Sequence, residues 1–463
     1  MSDERDILLK YARDTWRSFT AMTSDIGLPA DHLCRSVNGQ WMTARYTSPT
    51  NIGTYIWSTV AAEDLGIVTN QEAIQRISQT LMTLNRLERE HGFFFNWYNP
   101  ATGERINTWP VDGNSVRQYL SSVDNGWLAT ALILLRNSRT TFADSADSIL
   151  SHMNFGFFYD AYNVDDPIAH PGQLWGGYDT TTKTFDNFHY DLLNTESRIA
   201  SYVGIAMGDI PAEHYYRIYR TLPAEWDWQK QIPDGRTHTY FGMEVFEGHY
   251  VYRDKRIVPS WGGSMFEALM VPLFVPESIW APTSWGVNHP LYIECQIEHG
   301  LKDMSSKYWG FSPANKPEGG YRVYGVDIIG TNPDGYPSNN DNTLVDRNNP
   351  LLCSSLYANG VVTPHASFLA LPFFPYEALE NLRLIVQDFE AYCQYGFLDS
   401  INIQSGRVSD CVLALDQGMI MAAITNVVHQ NSLQYYFSNG MVEKAIRPLI
   451  APEKFTAGRF STQ

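Results

Sequence analysis

The sequence predicts an all-α fold of repeated helical hairpins, with long loops and only minor, short β segments. The stretch 70–91 places isoleucine and leucine at spacings of three and four, which is the pattern of an amphipathic helix. Similar apolar, alanine-rich stretches recur along the chain, whereas sustained β alternation is limited to pieces near 237–251 and 321–328. These observations fit helical hairpins better than a doubly wound sheet.

Helical periodicity begins near the amino terminus and returns at intervals. The predicted helices cover, in order, residues 7–19, 54–65, 70–91, 123–136, 192–207, 265–273, 366–371, 376–392 and 416–429. Long irregular segments rich in Gly, Asn, Asp, Trp and Tyr lie between them, such as 91–119, 155–190 and 308–360. Loops of that length inside a compact domain are usually functional, so we expect a site on the loops at one end of the helices. No linker divides the chain, and one domain over residues 1–463 is expected.

The charge balance excludes some classes of partner. With 33 Lys+Arg against 50 Asp+Glu, the 463-residue chain has a formal net charge of −17, which would repel a nucleic-acid backbone. A hydrophobic fraction of 44% with 18% charged residues is globular composition. The 13 Trp and 27 Tyr offer flat rings with a polar edge, which suit stacking on sugars. An acidic, aromatic-rich enzyme acting on carbohydrate is therefore a reasonable hypothesis.

Other features of the sequence predict the location of the protein, the state of its cysteines and the absence of a metal or cofactor. Residues 1–10 are polar, and no run approaches the ~20 apolar residues of a membrane span, so a cytoplasmic protein without membrane association is predicted. Its five cysteines are far apart and predict free, buried thiols rather than a disulfide framework or zinc site. The Asp-rich stretch 332–346 lacks the spacing of a calcium loop, so no metal or cofactor is expected.

Four acids stand out because they lie in apolar, aromatic or glycine-rich surroundings near predicted helix starts. These are Asp124, Glu196, Glu267 and Asp416. An acid at such a position can simply cap the helix, and that alternative is strongest for Asp124 and Asp416. Apolar neighbours of Glu267 should raise its pKa, as a general acid requires. Cleavage of a glycosidic bond typically needs two carboxyl groups in different protonation states, and the sequence offers candidates for both.

Several motifs resemble a known family when taken together. They are Pro49-Thr50-Asn51-Ile52-Gly53, Ser122-Val123-Asp124-Asn125-Gly126, Tyr190 to Arg198, Ser260 to Glu267, Tyr308 to Asn315, Gly360 to Ala366, Tyr395 to Ser400 and Leu415-Asp416-Gln417-Gly418. The blocks resemble the glucoamylase-like domain of cyclic β-1,2-glucan synthases and the related endo-β-1,2-glucanases. They extend over nearly the whole chain.

This resemblance implies a six-hairpin α/α toroid, or α/α barrel, and anomer-inverting action on β-1,2-linked glucose chains. It carries the family's acidic positions onto Asp124, Glu196 and Glu267. Glu267 is the expected general acid and Glu196 the general base, with Asp124 holding substrate or water, although the two glutamates could exchange roles. The β-glucan or gluco-oligosaccharide would be the binding partner, and the oligomeric state stays open.

Further residues of these motifs are candidates for substrate binding. Aromatic platforms could come from Trp127, Trp175, Trp261, Trp309 and Tyr395, with core packing as the alternative. Sugar hydroxyls could bond to Arg198, Asn315, His365, Asp399, Asp416 and Gln417, although an ion-paired arginine and a structural histidine are as plausible. Asn315 stands where related glucanases often have Asp, and Thr425 precedes Asn426 where they often have Glu. The subsite contacts are therefore open.

Three functions remain compatible with the sequence. The first is an inverting glycoside hydrolase, and the second is a transglycosylase that moves β-1,2-glucan segments to a sugar hydroxyl. A non-catalytic glucan-binding protein is the third. A terpene-cyclase-like function is disfavoured because the chain has no D-D-x-x-D motif for a metal-bound diphosphate.

Overall fold

The computed structural model describes residues 2–226, 229–331 and 360–460. Its α-helices are α1 Ser2–Met22, α2 Pro49–Asp64, α3 Asn70–Leu84, α4 Ser122–Ser138, α5 Ala143–Leu150, α6 Arg198–Met207, α7 His214–Arg217, α8 Met265–Leu269, α9 Glu277–Trp280, α10 Trp285–Glu298, α11 Pro364–Ala370, α12 Pro375–Asp388, α13 Ala414–Val428, α14 Ser432–Ser438 and α15 Met441–Ile450. The acidic stretch 332–346 lies outside the described residues.

Serine caps fix where three of the site-bearing helices begin. Ser48 accepts a hydrogen bond from the backbone N–H of Asn51, and proline follows it at the first position of α2. Ser121 caps α4 in the same way through the N–H of Asp124. Ser264 caps α8 in a capping box: its hydroxyl accepts a bond from the N–H of Glu267, and the Glu267 carboxylate accepts a bond from the N–H of Ser264. Each cap places an acid or its partner in the first turn of a helix.

Helices α2, α4 and α13 are buried on nearly every side and form the centre of the core. The indole of Trp57 on α2 donates a 2.9 Å bond to the carbonyl of Gly418 on α13. Gly126 on α4 lies so close to α6 that an added Cβ would be 2.9 Å from the Cβ of Ala200. A side chain there would force the helices apart, which accounts for glycine at this position.

The strands are short, and they lie mostly in the connections. They are β1 His32–Arg35, β2 Trp41–Thr43, β3 Arg89–Glu90, β4 Phe93–Phe94, β5 Tyr119–Ser121, β6 Tyr159–Asp160, β7 Gln173–Leu174, β8 Gly177–Asp179, β9 Thr184–Phe185, β10 Asp234–Tyr240, β11 Met243–Tyr252, β12 Lys255–Ile257, β13 Ala314–Asn315, β14 Tyr321–Arg322, β15 Val361–Val362, β16 Tyr392–Cys393, β17 Gly396–Phe397, β18 Ile401–Asn402, β19 Cys411–Leu413 and β20 Gly458–Arg459. The β10–β11 hairpin accounts for the alternation predicted near 237–251, whereas only β14 forms within 321–328.

Strand β1 pairs antiparallel with β19 and so joins two segments that are far apart in the sequence. Cys34 lies opposite Cys411 in this register, and the two form a disulfide across 377 residues of sequence. The prediction that all cysteines are free thiols is therefore wrong for this pair. Sequence spacing gave no sign of the bond because only strand pairing brings the two sulfurs together.

Helices were also missed where proline interrupts the pattern. Pro290 lies inside α10 and Pro448 inside α15, and neither helix was predicted. Buried packing holds both helices despite the lost backbone donor. Among the described residues, no helix combines the length and apolar character that crossing a membrane requires.

Candidate active site

A cavity of about 730 Å³ opens at the end of the core where α2, α4 and α6 begin. It is lined by Asp31, His32, Cys34, Tyr46, Ser48, Thr50, Asn51, Trp97, Trp109, Val123, Asp124, Trp127, Glu196, Phe266, Asn315, Gly319, Gly320, Tyr321, Cys411, Leu413 and Leu415. Neither lysine nor arginine is among these described lining residues. Carboxyl groups and aromatic rings therefore dominate the chemistry of the cavity.

Asp124 lies in the first turn of α4 and lines the cavity. Its Oδ1 accepts a 2.6 Å hydrogen bond from the hydroxyl of Thr50, which lies in the first turn of α2. The bond fixes one carboxylate oxygen and ties the two helix ends together. The second oxygen keeps its capacity to accept a bond from substrate or water.

Glu196 lies in the turn that leads into α6 and also lines the cavity. Its Oε2 is buried and has no hydrogen-bond partner within the described part of the chain. Burial raises the pKa of Glu196 to about 8, with further contributions from the charges of Glu267 and Asp124. The carboxyl group is therefore protonated at neutral pH, which is the state that a general acid needs.

Glu267 lies behind the cavity wall, in α8, next to the lining residue Phe266. Its Oε2 accepts bonds from both the hydroxyl and the N–H of Ser264, at 2.7 and 3.0 Å, and from the Ser260 hydroxyl at 2.9 Å. The N–H of Gly262 donates to both carboxylate oxygens. On balance the pKa of Glu267 is raised, because burial outweighs these donors, which stabilise the carboxylate and act in the opposite direction.

A second carboxyl cluster lies behind the part of the wall formed by Asn315 and Leu413. Asp399 accepts bonds from the backbone N–H groups of these two residues, at 2.8 and 3.2 Å. Burial raises the pKa of Asp399 to about 7, and burial together with the Asp399 charge raises the pKa of Asp416 well above its usual range. Nδ1 of His365 is 3.4 Å from Oδ2 of Asp416, and burial lowers the pKa of His365 to about 3. A neutral histidine thus faces Asp416.

Of the five predicted aromatic platforms, Trp127 lines the cavity. Its Nε1 is buried without a hydrogen-bond partner among residues 2–226, 229–331 and 360–460. The other four lie outside the cavity lining. Trp175 stacks on His189, with ring centroids 3.7 Å apart, and Tyr395 packs edge-on against Trp41, with ring centroids 4.9 Å apart. Trp261 donates a 3.0 Å hydrogen bond to Asp191. Trp309 is buried in the core.

Two side chains that were predicted to bind sugar hydroxyls form their hydrogen bonds within the protein. Arg198 is buried and ion-paired with Glu277, and its guanidinium also donates to the carbonyls of Thr195 and Ala268. Gln417 donates a 3.2 Å bond to the carbonyl of Phe397. Neither side chain lines the cavity, so the structure does not bring them to the site. Asn315 does line it.

Another part of the cavity wall was not predicted from the sequence. Tyr46, Trp97 and Trp109 form an aromatic group there, beside Asp31 and His32. The two tryptophans lie in or next to the long loop 91–119, whose length and composition were the available signal. The other three are close to β1 and β2 in the chain, where no pattern pointed to function.

The arrangement suits acid–base chemistry on an uncharged ligand. One carboxyl group carries a proton, another is held as an acceptor by Thr50, and a third accepts several donors behind the wall. No cluster of three or more His, Cys, Asp or Glu side chains suited to a metal ion occurs within the described ranges.

Comparison with known proteins gives matches over most of the chain. A family model described as "Putative glucoamylase" matches residues 233–440, and a model of a protein family of unknown function, DUF3131, matches residues 10–165. The chain is 24% identical to the cyclic β-(1,2)-glucan synthase of Rhizobium meliloti, over 95% of this chain and 18% of that protein. The predicted resemblance is confirmed.

Two further comparisons are informative. The chain is 20% identical to the exo β-1,2-glucooligosaccharide sophorohydrolase of Parabacteroides distasonis, over 85% of this chain and 52% of that protein. The endo-β-1,2-glucanase of Chitinophaga pinensis, solved with sophorotriose and glucose, superposes with a TM-score of 0.66 at 15% identity, over 96% of this chain and 98% of that one. That likeness shows a shared helix-rich fold. The chain spans about half or less of the length of the two curated relatives.

Proposed function

We propose that this protein is a glycoside hydrolase that cleaves β-1,2-linked glucan or its oligosaccharides with inversion at the anomeric carbon. The observation that carries the proposal is the pair of unsatisfied buried groups in one cavity, Oε2 of Glu196 and Nε1 of Trp127. Buried polar atoms nearly always have partners, so these two are explained by a polar ligand that supplies them. The matches to β-1,2-glucan enzymes support glucan as that ligand.

Within this proposal, Glu196 donates the proton to the leaving oxygen. Its raised pKa, its place in the cavity lining and its unpartnered Oε2 suit that role better than the position of Glu267, which is surrounded by donors behind the wall. Glu267 is then the general base. The family resemblance favours Glu267 as the acid and Glu196 as the base, with an exchange of the two roles left open, and we propose the exchanged assignment. Asp124 orients substrate or water through the oxygen that Thr50 leaves free.

We also propose a domain organisation and a helical arrangement for the chain. We infer one domain over residues 1–463, built as a six-hairpin α/α toroid with the cavity at one end. The buried trio α2, α4 and α13 supports it, since inner helices of such a ring are enclosed on all sides. A cytoplasmic location stays a prediction, and the Cys34–Cys411 disulfide weighs against it because disulfides persist mainly in oxidising compartments.

The test is a panel of purified glucans of defined linkage, incubated with the wild-type protein and two variants. Release of reducing sugar from β-1,2-glucan, and not from β-1,3-, β-1,4- or β-1,6-glucan, is expected. Glu196→Gln should lose activity on glucan but retain turnover of β-sophorosyl fluoride, because fluoride leaves without protonation. Glu267→Gln should lose both activities. Full glucan cleavage by Glu196→Gln would remove it from the mechanism.

A further inference from the structure

We infer that the wall formed by Tyr46, Trp97 and Trp109 is a subsite that binds one uncharged glucosyl residue beside the acids, an inference that rests on the proposed function. We call these three residues the aromatic alcove. All three line the cavity and are half-buried. Their rings lie 4.6 Å (Tyr46 to Trp109), 5.3 Å (Tyr46 to Trp97) and 5.8 Å (Trp97 to Trp109) apart.

The three rings of the alcove meet at angles and do not form a flat stack. Tyr46 and Trp109 are tilted by 36°, whereas Trp97 lies edge-on to both, at 78° and 68°. A pyranose ring presents C–H groups on its faces and hydroxyls around its rim, so it packs well against rings that meet at an angle. The backbone holds Trp109 in place, because its N–H donates a 2.7 Å bond to the carbonyl of Asn114.

The polar side of the alcove is already ordered. Oδ1 of Asp31 accepts a 2.9 Å bond from the Asn51 amide, and Oδ2 lies 3.0 Å from Nδ1 of His32. All three residues line the cavity. A carboxylate oxygen accepts more than one bond, so Asp31 can also receive sugar hydroxyls without rearrangement.

Charge narrows the class of ligand. Asp31, Asp124 and Glu196 line the cavity, and the described lining contains neither lysine nor arginine. A phosphorylated or carboxylated sugar would bring negative charge towards Asp31 and Asp124, and the described lining offers it neither lysine nor arginine. The alcove is therefore suited to a neutral glucosyl unit.

The alcove adjoins the acids through the first turn of α2. Thr50 donates to Asp124, while the next residue, Asn51, donates to Asp31. Adjacent residues of one helix turn thus hold the acid side and the alcove side of the cavity. A glucan chain with its scissile bond at Glu196 would place a neighbouring sugar in the alcove.

The test measures binding without turnover. Titration calorimetry of the Glu196→Gln protein with β-1,2-gluco-oligosaccharides, from disaccharide to pentasaccharide, is compared with the same protein carrying Trp109→Ala. We expect Trp109→Ala to raise Kd roughly tenfold for every oligosaccharide that is long enough to reach the alcove. Asp31→Asn should weaken the binding of the same oligosaccharides. Trp109→Phe, which keeps an aromatic ring, should retain most of the affinity that Trp109→Ala loses. The matched control is Trp41→Ala, a half-buried tryptophan outside the lining, which should stay within about twofold.

The results separate the subsite from the proposed hydrolysis. Equal affinity of Trp109→Ala and its parent for every chain length would overturn the alcove, even if the wild type cleaves β-1,2-glucan. Competition by choline would also overturn it, since a cation would then be the ligand. Weakened binding in Trp109→Ala, with no cleavage by the wild type, would uphold the alcove and remove the hydrolase. Urea midpoints of all variants show whether each one folds.

Discussion

Thr50 on α2 donates a 2.6 Å hydrogen bond to Asp124 on α4, and the two residues come from separate motifs 74 positions apart. Both residues belong to the cavity lining. The bond shows how the fold converts the first turns of two buried helices into one acid site.

Removing this bond should impair catalysis more than folding. Thr50→Val keeps the shape of the side chain but leaves Oδ1 of Asp124 without its donor, so we expect kcat on β-1,2-glucan to fall roughly tenfold or more. Thr59→Val is the matched control, because the hydroxyl of Thr59 lies in the same helix but outside the cavity lining, and it donates a 2.7 Å bond to the Tyr55 carbonyl. Equal losses of kcat in both variants would show that the bond is merely structural.

The pH dependence of activity should report Glu196. A general acid works when protonated, and burial raises the pKa of Glu196 to about 8. We therefore expect kcat/KM to hold towards pH 8 and to decline about tenfold per pH unit above it. An alkaline limb centred well below pH 7 would assign the acid to another group. Steady-state rates from pH 5 to 10 provide the measurement.

The same shift predicts how stability changes with pH. Folding raises the pKa of Glu196 from 4.5 to about 8, so the folded state holds a proton that the unfolded chain releases between these values. The free energy of unfolding should therefore fall as pH rises through this window. Glu196→Gln removes that loss, and we expect it to be more stable than the wild type by a few kcal/mol at pH 8.5 but not at pH 4.5.

Urea unfolding at the two pH values measures this difference. The control is Glu213→Gln, which replaces an exposed carboxyl group and should change the two stabilities equally. If Glu196→Gln has the same relative stability at both pH values, its carboxyl is not desolvated.

The disulfide supplies a further prediction. Cys34 and Cys411 close a loop across 377 residues of sequence, so breaking the bond enlarges the unfolded ensemble. Cys34→Ser should lower the free energy of unfolding by roughly 2–5 kcal/mol, and reductant should affect the wild type equally. Cys393→Ser, at a half-buried free thiol, is the control and should differ little from the wild type. Insensitivity of the wild type to reductant would contradict the pairing.

How much of the fold the sequence predicts depends on local pattern. Helices such as α3 and α13 carry an uninterrupted apolar pattern, and the predictions at 70–91 and 416–429 overlap them. By contrast, α10 contains Pro290, and its stability comes from packing that no local pattern reveals. The Cys34–Cys411 pair depends on the register of β1 and β19, which is a long-range property.

The candidate site divides in the same way. Asp124 and Glu196 were found because acids in aromatic, glycine-rich motifs are unusual, and both line the cavity. Asp31 and Tyr46 lie in no such motif and enter the site through strand and loop placement alone. Arg198 shares a motif with Glu196, yet it points into the core towards Glu277, since neighbouring residues of a helix start face different sides.

The most direct test of the account is proton NMR of the first products released from β-1,2-glucan by the wild-type protein, recorded before mutarotation equilibrates the anomers. The α-anomer should appear first, because water attacks opposite the β-linked leaving group while Glu196 protonates it. First appearance of the β-anomer, or no new reducing end at all, would contradict it.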